Sequence, residues 1–249
     1  MRRLLLVSIL LPTLAWSAEC TVRSGPHTNA VVELYTSEGC SSCPPADRWL
    51  SGLGTAAGSG RVVPLAFHVN YWDYIGWKDA FASDRATERQ RAIAGAAGAR
   101  HVYTPQVVLG GRDFPSWRES GSTGAIEAIQ RMAAPVTIEL SLKVDRAQGI
   151  EVVSIASANP AVRPDDLVLL VAATQNGLAS RVTAGENRGE RLAHDFVVRD
   201  FAVHRGLARA TSTFKPAPGW NLERMSVAAF VQNARTGQIL QAVSTPACR

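Results

Sequence analysis

The sequence lacks the features that mark several large classes of protein. It has no run of basic residues interleaved with aromatics, and its 26 Lys and Arg against 21 Asp and Glu leave a net charge of only +5. We therefore expect a solvated surface of scattered charge and no nucleic acid as a partner. Internal repeats and low-complexity segments are also absent. With 46% hydrophobic residues, the chain can bury a proper core.

Long apolar runs are scarce, and the most apolar stretch stands at the start. Two arginines precede the apolar residues 4–14, and small residues follow them. This order predicts a secretory signal peptide over residues 1–18, cleaved after Ser17 or Ala18. A retained anchor is the alternative, but the run falls short of the ~20 residues that span a bilayer. We expect no retained membrane span and a periplasmic or secreted protein.

Cysteine is scarce too, with four residues that allow three pairings. Disulfides persist in an oxidising compartment, so export favours pairing over free thiols. A structural disulfide between Cys20 and Cys248 would tie the two ends together and stabilise the fold by about 5 kcal/mol. Two free terminal thiols are the alternative. Such a bridge leaves Cys40 and Cys43 as the chemically available pair.

The pattern around these two cysteines predicts a junction between a strand and a helix. AVVELYT, residues 30–36, is apolar and β-branched, as in a buried strand. Pro44 and Pro45 fit only the first turn of a helix, where their missing N–H groups cost nothing. Strands and helices alternate up to Ala134, which predicts a compact α/β domain over residues 19–134.

The remaining chain, residues 135–249, changes character. Segments such as VTIELSLKV and IEVVSIA alternate apolar and polar residues, and Gly or Pro breaks separate them. About eight short strands of this kind predict an all-β antiparallel, sandwich-like domain.

A CxxC at the start of a helix suits thiol–disulfide exchange. The helix dipole and free backbone N–H groups lower the pKa of a thiol there. Cys40 is then the exposed nucleophile, and Cys43 resolves the mixed disulfide. A zinc site needs a second ligand pair at the right spacing, and none is present, so we expect no metal or other cofactor. Two alternatives remain: a purely structural disulfide, and a Cu(I) site formed by both thiolates and His68.

The order of strand, CxxC, helix and a later strand preceded by Thr-Pro resembles the thioredoxin fold. The whole chain more closely resembles a family of exported thioredoxin-like proteins classed as a domain of unknown function. The segments that carry this resemblance are VVELYTSEGCSSCPPAD, FHVNYWDYIGWKDAFA, ERQRA, VYTPQVVLGG and GENRGERLAHDFVVRD. The resemblance implies a thioredoxin-like N-terminal domain, a redox site at Cys40 and Cys43, a cis Pro105 packed on their disulfide, and Thr104 facing a bound peptide.

Two departures from thioredoxin bear on the redox chemistry. Ser41 and Ser42 replace the usual dipeptide between the cysteines, and this dipeptide tunes the reduction potential. Thioredoxin has a buried Asp six residues before its first cysteine, where this chain has Leu34. Glu33 is next to that position but is expected to face the other side of the strand.

An aromatic loop follows the second strand and supplies auxiliary candidates. His68 ends that strand, and Trp72 and Asp73 follow within NYWDYIGWKDAFA. Strand ends on one edge of a sheet lie close together, so the loop is expected to border the CxxC and His68 to carry protons. Alternatively, the aromatics pin the loop and His68 bonds only backbone.

Two further expectations concern partners and the second half of the chain. GENRGERLAHDFVVRD, residues 185–200, is either a tight turn or a surface that faces the redox site. No Ser-His-Asp or paired-carboxylate spacing predicts hydrolysis. The expected partners are cysteine-containing envelope proteins or a membrane thiol donor.

Overall fold

The computed structural model describes residues 17–145, 147–207 and 209–248, and this part of the chain is mostly β. Strands hold 42% of it and helices 21%. The predicted signal peptide, residues 1–18, lies outside the described residues except for Ser17 and Ala18. No helix within the described ranges is long and apolar enough to cross a membrane.

The described residues form fourteen strands and four short α-helices. The helices are α1 (Pro44–Gly52), α2 (Gly54–Gly58), α3 (Asp84–Ala96) and α4 (Ser122–Gln130). The strands of the first half are β1 (Ser17–Arg23), β2 (Ala30–Thr36), β3 (Val62–His68), β4 (Gln106–Leu109) and β5 (Arg112–Asp113). Those of the second half are β6 (Val136–Asp145), β7 (Gly149–Ala158), β8 (Leu167–Gln175), β9 (Leu178–Arg181), β10 (Arg191–His194), β11 (Val197–Arg205), β12 (Ala210–Phe214), β13 (Met225–Asn233) and β14 (Ile239–Pro246).

One large mixed sheet contains strands from both halves of the sequence. Its order is β14-β13-β8-β11-β3-β2-β4-β5, in which β3 pairs with β2 on one side and with β11 on the other, through Val197 and Ala66. The prediction of an α/β thioredoxin-like N-terminal domain followed by a separate all-β sandwich is therefore wrong. The physical reason is that β3 leaves an open edge, and β11 satisfies its backbone groups. The boundary near residue 134 stays a prediction.

Both faces of the large sheet are covered. A four-stranded sheet, β1-β6-β7-β12, packs on the second-half strands, and α1 and α4 pack beside it on β2 and β4. α3 covers the opposite face with an aromatic core around Tyr35, Phe67 and Phe230. Burial on both faces explains why β8 reads as the nearly continuous apolar run LVLLVAATQ.

The structure joins Cys20 to Cys248 by a disulfide whose Cα atoms are 5.8 Å apart. Cys20 lies on β1, which runs antiparallel to β6 with Cys20 opposite Leu142. Both cysteines pack against the core between the two sheets. The bridge therefore fastens β1 and the C-terminal segment to one core.

Candidate redox site

The CxxC closes the turn between β2 and α1. Every residue of β2 is buried, and the chain turns at residues 37–43 before α1 begins at Pro44. Cys40 and Cys43 form a disulfide with Cα atoms 5.5 Å apart. Ser41 and Ser42 are exposed, whereas both cysteines are completely buried. The sequence predicts an exposed Cys40, and the structure does not have one.

A turn from the second half of the sequence contacts the CxxC. Residues 182–190 connect β9 to β10, and we name their central part the 184–189 turn. Asn187 is buried and donates from Nδ2 to the carbonyl oxygens of Glu38, at 2.8 Å, and Cys40, at 3.0 Å. Glu186 Oε2 accepts from the Ser41 backbone N–H at 2.9 Å and from Ser41 Oγ at 2.7 Å. These two bonds lower the pKa of Glu186. The segment is thus both a tight turn and a surface that faces the CxxC.

The aromatic loop borders the CxxC turn on another side. A Cβ at Gly39 would lie 3.0 Å from Trp72 Cβ and 3.4 Å from Ile75 Cδ1, so the loop packs closely on the CxxC turn there. The Trp72 ring donates from Nε1 to Thr104 Oγ1 at 2.8 Å, and the Thr104-Pro105 peptide bond is cis. The structure therefore connects Thr104 to the CxxC turn through Trp72.

Asp73 lies at the start of the short 3-10 helix in this loop. Its Oδ1 accepts from the backbone N–H of Asp79 at 3.3 Å, and partial burial raises its pKa. Tyr74, the next residue, is 82% exposed. Asp73 therefore bonds within the aromatic loop, to the backbone of Asp79.

Two buried acid–histidine pairs lie beneath the CxxC turn. His68 Nδ1 is 2.7 Å from Asp79 Oδ2, and His194 Nε2 is 3.1 Å from Glu38 Oε1. The two imidazole rings meet edge to face, with centroids 4.9 Å apart. Glu38 also accepts from Trp77 Nε1 at 2.8 Å, and its backbone N–H donates to Asp79 at 3.0 Å. The pairs therefore form one connected network drawn from both halves of the chain.

Burial and charge oppose each other within the His68–Asp79 pair. Burial lowers the pKa of His68, but Asp79, together with the charges of Asp47 and Glu38, outweighs it, and the net pKa lies above the ordinary value. Burial likewise raises the pKa of Asp79, but His68 and the N–H groups of Glu38 and Phe81 hold it below the ordinary value. Each partner therefore favours the charged form of the other.

Asp47 adds a third buried carboxyl group, on α1. It lies four residues after Cys43, one helical turn on, and its N–H donates to the Cys43 carbonyl at 3.1 Å. Burial raises its pKa, although the charges of His194 and His68 act in the opposite direction. His68 Nε2 and His194 Nδ1 are buried without a hydrogen-bond partner within the described residues. We name Glu38, Asp47, His68, Asp79 and His194 the buried polar cluster.

Glu33 does not belong to this cluster. It accepts from Tyr35 Oη at 2.9 Å and from Arg89 Nε at 2.6 Å on the α3 side of the sheet. Leu34 points the other way, into the core that α1 covers. No acid therefore stands at the Leu34 position.

Sequence reasoning did not assign four members of the buried polar cluster to the site, although His194 lies within residues 185–200, for which a surface facing the redox site was one of two predictions. Asp47 had a usable signal, because a residue four positions after Cys43 shares its helix face. Glu38 and Asp79 carry no pattern that separates them from loop acids. His194 comes from β10, more than 150 residues after Cys40, and only the tertiary fold places it there.

Comparison with known proteins identifies the family of this chain. The model of DUF1223, a protein family of unknown function, matches residues 31–232. The chain belongs to the DUF1223 family. The match spans the CxxC turn, the aromatic loop and the 184–189 turn, so all three lie within the DUF1223 segment. No curated protein matches this chain.

Two solved structures resemble this DUF1223 protein. The X-ray structure of AGR_C_4864 from Agrobacterium tumefaciens has 27% sequence identity, a TM-score of 0.63, and coverage of 89% of this chain and 95% of that chain. HBP35 of Porphyromonas gingivalis has 17% identity and a TM-score of 0.63, with coverage of 90% of this chain and 76% of that chain. The second likeness concerns the fold alone.

The DUF1223 chain holds no evident metal centre in its described part. Among residues 17–145, 147–207 and 209–248, no group of three or more His, Cys, Asp and Glu is arranged to hold a metal ion. His68, which the Cu(I) hypothesis requires, contacts Asp79 through Nδ1, and its Nε2 has no hydrogen-bond partner among the described residues.

Proposed function

We propose that this DUF1223 protein performs thiol–disulfide exchange at Cys40 and Cys43. The observation that carries the proposal is a disulfide across a four-residue turn, set directly above a buried polar cluster. Buried ionisable groups are costly unless they are paired, and perturbed pKa values concentrate at functional sites. Two unpartnered imidazole nitrogens and Asp47 are groups that can accept or supply protons there.

The exchange runs through a mixed disulfide. A client thiolate attacks Cys40 Sγ, the Cys40–Cys43 bond breaks, and Cys43 leaves as a thiolate that takes up a proton. A second client thiolate then attacks the client sulfur and releases Cys40. The client gains a disulfide and the protein becomes a dithiol; the reverse sequence reduces a client. Because Cys40 is completely buried, the 184–189 turn or the aromatic loop must move before the attack.

We further propose an oxidising compartment, periplasmic or extracellular, as the place of action. The Cys20–Cys248 disulfide supports this placement, because such bonds persist where thiols are oxidised. Its partners there would be cysteine-containing envelope proteins or a membrane thiol donor. Residues 1–18 would serve as the signal peptide.

Single-cysteine variants test the exchange directly. A Cys43→Ser variant retains the attacking cysteine and cannot resolve, so it should accumulate a mixed disulfide at Cys40 with oxidised glutathione. Its matched control, Cys40→Ser, should accumulate little. Peptide mass spectrometry locates the adduct. Equal labelling of both variants, or of neither, would contradict the proposal.

A structural disulfide is the second candidate, and the complete burial of both cysteines favours it. Closing a loop of this size is worth about 2 kcal/mol in the chain-entropy model. Under this candidate, a Cys40→Ser/Cys43→Ser variant loses that stability in urea unfolding, and the native disulfide resists glutathione. Ready exchange with glutathione would exclude it.

A further inference from the structure

The contact between Glu186 and Ser41 brings a carboxylate to the residue next to Cys40. Glu186 itself is exposed, so its side chain has water as an alternative partner. It nevertheless accepts two hydrogen bonds from Ser41, at 2.9 and 2.7 Å. The 184–189 turn is held in place separately, since Asn187 binds two carbonyl oxygens of the CxxC turn. The position of Glu186 is therefore built into the fold.

The donors that could stabilise a Cys40 thiolate are few. Pro44 and Pro45 open α1 and have no N–H groups. The N–H of Cys43 donates to the carbonyl of Cys40 at 3.2 Å. Glu186 occupies the N–H and the hydroxyl of Ser41. The hydroxyl of Ser42, 3.3 Å from Cys40 Sγ, is the side-chain group that remains beside the sulfur.

We propose that Glu186 favours the disulfide form of the Cys40–Cys43 pair by competing with the Cys40 thiolate for Ser41. The inference rests on the proposed exchange function and names a residue that tunes it. The disulfide is neutral and tolerates the carboxylate, whereas a thiolate beside it meets like charge and loses the Ser41 donors. Glu186 is thus a positioning residue that tunes the reduction potential of the Cys40–Cys43 pair.

The Glu186–Ser41 contact and the redox state of the Cys40–Cys43 pair affect each other reciprocally. If the Glu186–Ser41 contact disfavours the dithiol by some factor, reduction of the disulfide weakens that contact by the same factor. Reduction consumes two glutathione thiols, yields one glutathione disulfide, and leaves Cys40 and Cys43 as thiols. The 184–189 turn is then less firmly held when the pair is reduced.

A Glu186→Gln variant tests this inference, with Glu190→Gln as its matched control. Glu190 is an exposed acid just after the same turn, so its removal changes the net charge equally without touching Ser41. The buried polar cluster, which supplies five ionisable groups near the turn, is identical in both variants. Two quantities are measured: the equilibrium constant with glutathione, and the Cys40 thiol pKa from alkylation rate against pH. The second uses protein reduced with a phosphine, and mass spectrometry isolates the Cys40 peptide.

Glu186→Gln should shift the glutathione equilibrium about fivefold towards the dithiol, the upper range for an exposed charge pair, and lower the Cys40 thiol pKa. Glu190→Gln should match the wild type in both. Equal behaviour of the two variants would overturn the inference and leave the exchange function standing. If wild-type protein does not react with glutathione, the exchange function fails, and the alkylation profile still decides the role of Glu186.

Discussion

His68 and Asp79 are completely buried side chains whose nearest atoms lie 2.7 Å apart. The pKa of His68 is raised, so its contribution to stability is fully present below its ordinary pKa of about 6.5 and is lost as pH rises through the raised value. The pKa of Asp79 is lowered, so its contribution is present above about 4 and is lost as pH falls through the lowered value. The pair therefore stabilises the fold most between about pH 4 and 6.5.

An Asp79→Asn variant tests this pair. It should lower the free energy of unfolding by about 3 kcal/mol at pH 5.5, because it leaves a buried charge unpaired. The loss should be smaller at pH 9, because a smaller fraction of His68 is charged there than at pH 5.5, and urea unfolding at both pH values measures it. Asp165→Asn, at an exposed carboxylate, is the control and should change neither value. A loss of the same size at both pH values would contradict the charge pairing.

Prediction from the sequence succeeded for residues whose arrangement depends on near neighbours in the chain. The Cys40–Cys43 pairing and the orientation of Glu33 away from α1 both follow from short-range spacing. The predicted exposure of Cys40 failed, because the residues that bury the turn come from distant segments. Nothing in the sequence indicates that Asn187 and Trp72 contact the backbone of the CxxC turn.

The 184–189 turn packs on the CxxC turn and contacts the aromatic loop through Gly185. Gly185 has φ +73°, and a Cβ there would lie 3.0 Å from Ile75 Cδ1 and 3.5 Å from Trp77 Cβ. Gly189 also has a positive φ, +94°, but nothing lies within 4 Å of its Cβ position. An alanine at either position would therefore strain the backbone. Only at Gly185 would its Cβ also lie close to other side chains.

A Gly185→Ala variant should reduce faster than Gly189→Ala. Both substitutions cost about 1 kcal/mol for the left-handed backbone, but only the first pushes the turn away from the aromatic loop. We expect the Cys40–Cys43 disulfide of Gly185→Ala to be reduced by dithiothreitol about threefold faster than that of Gly189→Ala, since about 0.7 kcal/mol of added opening corresponds to this factor. Equal rates would show that close packing at Gly185 does not control access.

Individual elements were more predictable than their partners. The buried β2 and the prolines at the start of α1 follow local rules, and at the start of α3 the side chain of Ser83 accepts from the N–H of Ala86. Residues 101–105 form no strand, and β4 begins at Gln106, directly after Pro105. Periodicity indicates which face of a strand is buried but not which strand lies beside it, so the β3–β11 pairing was missed.

At the scale of the whole molecule, the Cys20–Cys248 bridge closes nearly the entire described chain, with a sequence separation of 228. A Cys20→Ala/Cys248→Ala variant should lower the free energy of unfolding by up to about 5 kcal/mol, because the unfolded chain regains the entropy that the bridge removes. Urea unfolding measures the loss. Glutathione exchange at Cys40–Cys43 is the internal control and should be unchanged. Unaltered stability would contradict a structural role for this bridge.

The central claim is that Cys40 and Cys43 exchange their disulfide in the native protein. The most direct test is the equilibrium of this pair with mixtures of reduced and oxidised glutathione, read by alkylation and peptide mass spectrometry. The account predicts a reversible equilibrium with a reduction potential between about −120 and −270 mV, the range of exchange proteins. A disulfide that glutathione does not reduce, with a potential below about −300 mV, would contradict the claim and make the pair a structural bridge.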